Sequence, residues 1–296
     1  MTTNTAILED ALTRITAGYV FPERAAEVDT AIRRRLAAGE YEGLAGTELC
    51  TTVTGHLHEV CPDKHLRLLW SEEPQQVAED ADEDARFSAL CRAENFGVRK
   101  VEQLDGNVGY LDLRLVATPA DGAAVFAASM QLLAHTDAFV FDLRHCRGGS
   151  PEGAVLWCSY FFADGTVHLN DIYDGASGRT QQFWSSTHLP APRYLDRPVY
   201  LLTSSATFSG GEEIAYNLQS QQRATLVGET TKGGAHPTER FPLTPHIAVT
   251  VPTARSINPV TGTNWEGVGV VPELAVPAED ALTAALDHLR AAKHAG

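Results

Sequence analysis

The feature of this sequence that most restricts its fold is a repeated alternation of apolar, strand-like segments with helical segments. DAFVFDLRH at residues 137–145 is an almost uninterrupted apolar run, and RPVYLLTS at 197–204 and ATLVGE at 224–229 have the same character. Neighbouring segments have the apolar spacing of helices, namely 122–136, 151–162 and 210–222. Continuous apolar strands alternating with helices are typical of a sheet that is buried on both faces. The sequence therefore predicts an α/β core.

The amino-terminal part of the chain follows a different pattern. Apolar side chains recur at helical spacing over residues 5–70, whereas residues 71–85 are acidic and have little apolar periodicity. Such an acidic stretch is typical of a solvated linker. We therefore expect three parts: a helical cap at residues 1–75, an acidic linker at 76–94, and an α/β core at 95–296.

Charge and cysteine content restrict the class of protein further. The 296 residues include 23 Lys and Arg against 38 Asp and Glu, a formal charge of −15, which disfavours binding to nucleic acid or to an anionic membrane surface. The first residues, MTTNTAILEDALTRI, lack the apolar run of a signal peptide, and no apolar stretch is long enough for a membrane helix. Five widely spaced cysteines without a C-x-x-C pair favour reduced thiols. We expect a cytoplasmic protein.

Two strand–turn–helix junctions contain residues suited to acyl chemistry, and the first is DLRHCRGGSPEGA. Gly148 and Gly149 follow the strand, and a helix is predicted to begin at Pro151. The backbone N–H group of Gly148 or Gly149, supported by the helix N-terminus, could bind an oxyanion. The alternative is a tight turn that needs glycine only for a positive φ.

The second junction is LLTSSATFSGGEEIAYNL, in which Ser209 precedes Gly210 and Gly211. A serine here lies at the carboxyl end of an apolar strand, where α/β sheets bind ligands, and the Gly210 N–H would lie beside it. The structural alternative is also specific, because Ser209 and Glu212 fit the S-x-x-E capping box of a helix. A nucleophile can also begin a helix, so the two interpretations are compatible.

Three segments in order resemble the C-terminal-processing (tail-specific) serine peptidases: DLRHCRGG, TFSGGEEIAYNLQSQQRATLVGETTKGGAH and NPVTGTNWEGVGVVPEL. The resemblance covers roughly residues 95–280. The helical leader ending in HEVCPDKHLRLLW is similar to the branch that contains bacterial relatives of interphotoreceptor retinoid-binding protein. The resemblance implies a crotonase-like core of repeated ββα units behind an N-terminal helical cap, a nucleophilic Ser209, and no metal or other cofactor.

The general base is less well defined by this resemblance. Tail-specific peptidases pair the serine with a lysine at the position occupied here by Gly234, and the nearest lysine is Lys232. The related tricorn protease uses a histidine from an N-terminal segment and a glutamate from a late segment, which match His65 and Glu266. His236, close to the missing lysine, is the alternative base.

The implied activity is that of a serine hydrolase acting through an acyl-enzyme on a peptide or a small acyl substrate. The residues expected to carry it are Ser209 as nucleophile, His65 (alternatively His236 or Lys232) as base, Glu266 to orient the base, and the amides of Gly210 and of Gly148 or Gly149 as the oxyanion hole. Two alternatives stay open. One is a non-catalytic binder of a retinoid- or fatty-acid-like ligand, and the other is a biosynthetic acyl-transfer or cyclising enzyme that uses the same serine. The sequence leaves the oligomeric state open.

Overall fold

The structure is a computed structural model that describes residues 3–74 and 80–295. Its helices are α1 (Asn4–Gly18), α2 (Pro22–Ala37), α3 (Gly46–Val60), α4 (Asp80–Ala93), α5 (Pro119–Leu133), α6 (Pro151–Ser159), α7 (Gly210–Ser220) and α8 (Ala281–Ala295). Its strands are β1 (Arg67–Trp70), β2 (Val98–Leu104), β3 (Val108–Leu113), β4 (Ala138–Asp142), β5 (His168–Asp174), β6 (Thr180–Trp184), β7 (Val199–Thr203), β8 (Thr225–Gly228), β9 (Thr238–Pro242), β10 (Ile247–Pro252), β11 (Ala254–Ile257) and β12 (Leu274–Ala275).

The chain divides into two compact units. The first unit consists of Met1–Asp84, Ile172–Gln181 and His236–Ser256, and the second of Ala85–Asp171, Gln182–Ala235 and Ile257–Gly296. Strands β11, β5 and β6 form a three-stranded sheet in that order. Within the described residues, no helix is long and apolar enough to cross a membrane.

The first unit packs helices α1, α2 and α3 with an antiparallel sheet of order β1–β10–β9. Its core consists of apolar side chains at helical spacing from α1, such as Leu8 and Leu12, together with alternate residues of the strands, such as Leu68 and Val249. Leu68 and Val249 are opposite each other in the sheet. The sequence analysis expected a purely helical cap. The unit also contains a sheet, because strands from late in the sequence complete it.

The second unit is built on a six-stranded sheet of order β12–β8–β7–β4–β3–β2, in which only the β2–β3 pair is antiparallel. Every residue of β4 and β7 is buried. On one face, Val140 and Leu202 belong to a cluster with Ala285 of α8. On the other face, Phe141 contacts Trp157 of α6. The predicted α/β core, with a sheet covered on both faces, is confirmed.

The expected acidic linker contains a helix. Residues 76–79 lie outside the described part of the chain, but Asp80–Ala93 forms α4. The second half of α4 is anchored by Cys91, which is fully buried, and by a hydrogen bond from Ser88 to Asp121. The acidic composition of this segment and its weak apolar periodicity are the reason that the sequence did not predict the helix.

Candidate active site

Ser209 lies in the turn between β7 and α7, with φ +53° and ψ −121°. Residues with a side chain rarely adopt this conformation, and it persists only where the surroundings enforce it. The Ser209 N–H donates to Glu212 Oε2 over 2.8 Å, which is the glutamate half of the predicted capping box. Ser209 is therefore both the start of a helix and a residue in a strained backbone conformation.

The turn before Ser209 is bound to the end of the neighbouring strand β4. The Thr207 hydroxyl donates to the Leu143 carbonyl over 2.9 Å, and the Phe208 N–H donates to the Cys146 carbonyl over 3.0 Å. Adjacent parallel strands end at the same edge of a sheet, so the turns that follow β4 and β7 meet there. These bonds fix the serine turn relative to the glycine turn.

The glycine turn at Gly148 and Gly149 packs directly against Ser209. Gly148 has φ +92°, and a Cβ added to it would lie 2.7 Å from the Cβ of Ser209. A Cβ on Gly149 would lie 2.1 Å from the Val116 carbonyl oxygen, and one on Gly210 would lie 3.1 Å from the Gly149 nitrogen. Glycine is required here for close approach as well as for positive φ.

The amides of this turn differ in their acceptors. The Gly148 N–H faces the Cys146 thiol, whose pKa is raised to about 12 by burial and lowered in part by that N–H. Among the hydrogen bonds of residues 3–74 and 80–295, neither the Gly149 N–H nor the Gly210 N–H has a protein acceptor. Amide donors without a protein acceptor, on the two turns that pack together at Ser209, are the groups that an oxyanion hole requires.

Glu212 connects the serine turn to the loop of residues 231–234. Its Oε1 accepts from the Thr231 hydroxyl (2.5 Å) and the Gly233 N–H (2.6 Å), and its Oε2 also accepts from the Gly234 N–H (2.9 Å). Burial raises the pKa of Glu212, and these hydrogen bonds oppose the shift. The sequence indicated this residue only as a helix cap.

The next residue, Glu213, has a different environment. It is fully buried and accepts one hydrogen bond, from Asn170 Nδ2 over 3.2 Å. Burial raises its pKa to about 8, with Asn170 lowering it and the charge of Glu152 raising it. Glu213 is therefore largely a neutral carboxylic acid at pH 7.

Glu266 and Lys232 both lie at the loop of residues 231–235. Glu266 Oε2 accepts from the Ala235 N–H over 2.6 Å, and the neighbouring Trp265 donates its indole N–H to the Gly234 carbonyl. Lys232 is exposed, and its ammonium lies 4.6 Å from the centre of the Phe208 ring. The second unit thus holds Glu266 against the loop that contains the position of the missing lysine.

In the first unit, Asp63 binds both candidate histidines. Asp63 Oδ2 lies 2.7 Å from His236 Nδ1, and Asp63 Oδ1 accepts the His65 backbone N–H over 3.0 Å. Burial by itself would raise the pKa of Asp63, but the hydrogen bond and charge of His236, with the His65 N–H, hold it below its usual range. A carboxylate that accepts from one ring nitrogen fixes the histidine tautomer and stabilises the charged imidazolium form.

The predicted residues are thus distributed over both units. Ser209, Gly148, Gly149, Gly210, Lys232 and Glu266 belong to the second unit, and His65 and His236 belong to the first. The carboxylate that binds the ring of His236, a candidate base, is Asp63, which the sequence analysis did not single out. Its only sequence signal was its position two residues before His65. The predicted orientation of His65 by Glu266 stays a prediction.

Comparison with known proteins establishes the family. The model of peptidase family S41 matches residues 107–276, more than half of the chain. This segment contains both turns and the Glu266 loop. The chain belongs to peptidase family S41, and its predicted resemblance to the C-terminal-processing peptidases is confirmed.

Individual relatives have low sequence identity to this chain. The chain is 28% identical over 153 residues to the carboxyl-terminal-processing protease of Synechocystis sp., covering 52% of this chain and 34% of that protein. It thus spans about a third of that relative's length. In fold it is similar to the photosystem II D1 C-terminal processing protease, with TM-score 0.57, 14% identity and 94% of each chain covered. It is also similar to the tricorn protease, with TM-score 0.56, 10% identity, and 95% and 36% of the two chains covered.

Proposed function

We propose that this protein is a serine-type peptidase in which Ser209 forms an acyl-enzyme. The observation that carries the proposal is the contact of the strained Ser209 turn with the Gly148–Gly149 turn. Ser209 Oγ would form a bond to the substrate carbonyl carbon, and collapse of the tetrahedral intermediate would break the C–N bond and release the amine. Water then attacks the ester carbonyl carbon of the acyl-enzyme, which releases the acid product and regenerates the serine.

We propose the N–H groups of Gly149 and Gly210 as the oxyanion hole. Both lack a protein acceptor in the described residues, whereas the Gly148 N–H faces the Cys146 thiol. Loss of one such donor typically costs about 3–4 kcal/mol of transition-state stabilisation. This assignment selects between the two glycines that the sequence left open.

For the general base we propose a histidine of the first unit, with His236 ahead of His65. The support is the Asp63 carboxylate at His236 Nδ1, which would stabilise the imidazolium formed when the ring takes the serine proton that it later donates to the leaving amine. Lys232 ranks third, because its ammonium lies against the Phe208 ring. Glu266 would act through the Ala235 N–H, one residue before His236 in the chain.

We further propose that the α/β fold is of the crotonase-like variety and that the protein belongs to the branch of the retinoid-binding-protein relatives. We also propose that its substrate is a short peptide or a small acyl compound and that it is located in the cytoplasm. The parallel strands β3, β4, β7 and β8 with their helices support the fold proposal. Five buried cysteines without a disulfide support the location. Binding of an apolar ligand without catalysis, and acyl transfer to an acceptor other than water, are treated as outcomes of the test below.

The test is labelling with a fluorophosphonate probe, followed by intact mass measurement. The wild type and Ser205→Ala should each gain one adduct, and Ser209→Ala should gain none. Ser205 is a matched control, because it is an exposed serine of the same turn. A folded wild type without an adduct would overturn the proposal in favour of the non-catalytic binder. Product analysis with an added amine then separates hydrolysis from acyl transfer.

The base assignment is tested by kcat/KM on a fluorogenic peptide that the labelled enzyme cleaves. His236→Gln should lose nearly as much activity as Ser209→Ala, because members of a triad act as a unit. His65→Gln should retain more activity than His236→Gln. The reverse order would assign the base to His65.

A further inference from the structure

A chain of buried hydrogen bonds extends from the Asp63–His236 pair to Tyr19 and Cys61. The Tyr19 hydroxyl donates to Asp63 Oδ2 over 3.0 Å, the same oxygen that lies 2.7 Å from His236 Nδ1. The Cys61 sulfur lies 3.0 Å from the Tyr19 hydroxyl oxygen. Tyr19, Cys61, Asp63 and His236 are only 5%, 4%, 3% and 6% exposed, so water competes little for these bonds. All four residues belong to the first unit.

The direction of each bond follows from the groups present. An ionised carboxylate only accepts, so the single hydroxyl proton of Tyr19 goes to Asp63, and the thiol proton of Cys61 goes to the tyrosine oxygen. Burial first, and then the charge of Asp63, raise the pKa of Tyr19 above its ordinary value. Tyr19 is therefore a permanent donor to the carboxylate.

The surrounding contacts hold Tyr19 and the histidine ring in place. Tyr19 caps the C-terminal end of helix α1, where its N–H donates to the Ile15 carbonyl over 2.9 Å. The ring of Phe21 lies 5.8 Å from the ring of Tyr19 and 5.5 Å from that of His236, measured between centroids. The connection between α1 and α2 thus contacts both ends of the Tyr19–Asp63–His236 series.

We propose that Tyr19 is a positioning residue for His236, acting by fixing the Oδ2 atom of Asp63 that accepts the His236 Nδ1–H. The other oxygen, Oδ1, is fixed by the His65 N–H, and the His65 carbonyl is in turn bound by the Thr250 hydroxyl over 2.5 Å. Because the His65 N–H already holds Oδ1, the Tyr19 hydroxyl is the donor that orients Oδ2, the oxygen that accepts from His236. This inference rests on the proposed function in that it takes His236 as the base.

The experiment is proton and nitrogen NMR of histidine side chains, combined with steady-state kinetics, on the wild type, Tyr19→Phe and a control. Tyr41→Phe is the matched control, because the Tyr41 hydroxyl bonds His56 Nδ1 over 3.0 Å in the same unit. His236→Gln assigns the His236 signals. We expect Tyr19→Phe to shift the His236 Nδ1–H signal and Tyr41→Phe to leave it unchanged.

In kinetics, Tyr19→Phe should lower kcat about tenfold to a hundredfold with little change in KM, the equivalent of one hydrogen bond to a charged group. An unshifted His236 signal, or a shifted signal with unchanged kcat, overturns the inference. If Tyr19→Phe does not fold, Cys61→Ala replaces it and should shift the same signal by less. The NMR result does not require activity, so a failed peptidase proposal and a failed Tyr19–Asp63–His236 coupling are distinguishable.

Discussion

Replacing Glu212 by glutamine tests whether this carboxylate holds the serine turn against the loop of residues 231–234. Each carboxylate oxygen accepts two hydrogen bonds: Thr231 and Gly233 donate to Oε1, and Ser209 and Gly234 donate to Oε2. The amide nitrogen of glutamine is a donor, so on either side it faces two donors. The substitution keeps the shape of the side chain, removes its charge and replaces one accepting oxygen by a donating nitrogen.

The expected loss of stability depends on which of the four donors can become an acceptor for the amide nitrogen. Of the four, only the Thr231 hydroxyl can turn to accept, since the others are backbone N–H groups. We therefore expect the amide nitrogen at the Oε1 position, with the bonds to Ser209 and Gly234 kept and the Gly233 N–H left buried without an acceptor. One lost bond to a charged acceptor and one unsatisfied donor correspond to a loss of about 2–3 kcal/mol in the free energy of unfolding. Glu212→Ala, which loses all four bonds and leaves a cavity, should cost more.

The assay is urea unfolding at pH 7, with the midpoint and the slope compared among variants. The matched control is Glu213→Gln, the same substitution one residue later at an equally buried site. Because Glu213, with a pKa of about 8 in the folded protein, must take up a proton on folding at pH 7, its replacement by the neutral glutamine should not lower stability and should raise it. If both variants lose the same amount, Glu212 does not have the role assigned to it.

Two further predictions concern Glu213 and Gly148. The pKa of Glu213 is about 8 in the folded protein and ordinary in the unfolded chain, so the folded state holds an extra proton between about pH 4.5 and 8 and loses stability as pH rises through this range. Glu213→Gln should remove that part of the pH dependence of the unfolding midpoint; a slope equal to that of the wild type would contradict the raised pKa. Gly148→Ala should abolish fluorophosphonate labelling and cost at least about 2 kcal/mol more than Gly106→Ala. Both glycines have positive φ, but a Cβ on Gly106 meets nothing within 4 Å, so equal losses would show that the contact with Ser209 is unimportant.

The sequence by itself determined the features that depend on short-range pattern. The sequence predicted, to within a few residues, the apolar strands β4, β7 and β8 and the helices that follow β4 and β7. This was possible because apolar periodicity, and the continuous apolar runs of strands buried on both faces, are properties of consecutive residues. The same applies to Ser209 and the glycines beside it, since a strand–turn–helix junction is local. The family motifs also lie in these segments, which is why the family was recognisable.

Only the tertiary structure decided which distant residues come together. The first unit is completed by β9 and β10, which follow β1 by well over a hundred residues, and no local pattern specifies such a pairing. Asp63 and His236 are 173 positions apart, so the carboxylate partner of the histidine could not be found from spacing. The Gly148 N–H faces the Cys146 thiol, and Gly149 closely approaches the Val116 carbonyl, and neither contact follows from the two glycines themselves.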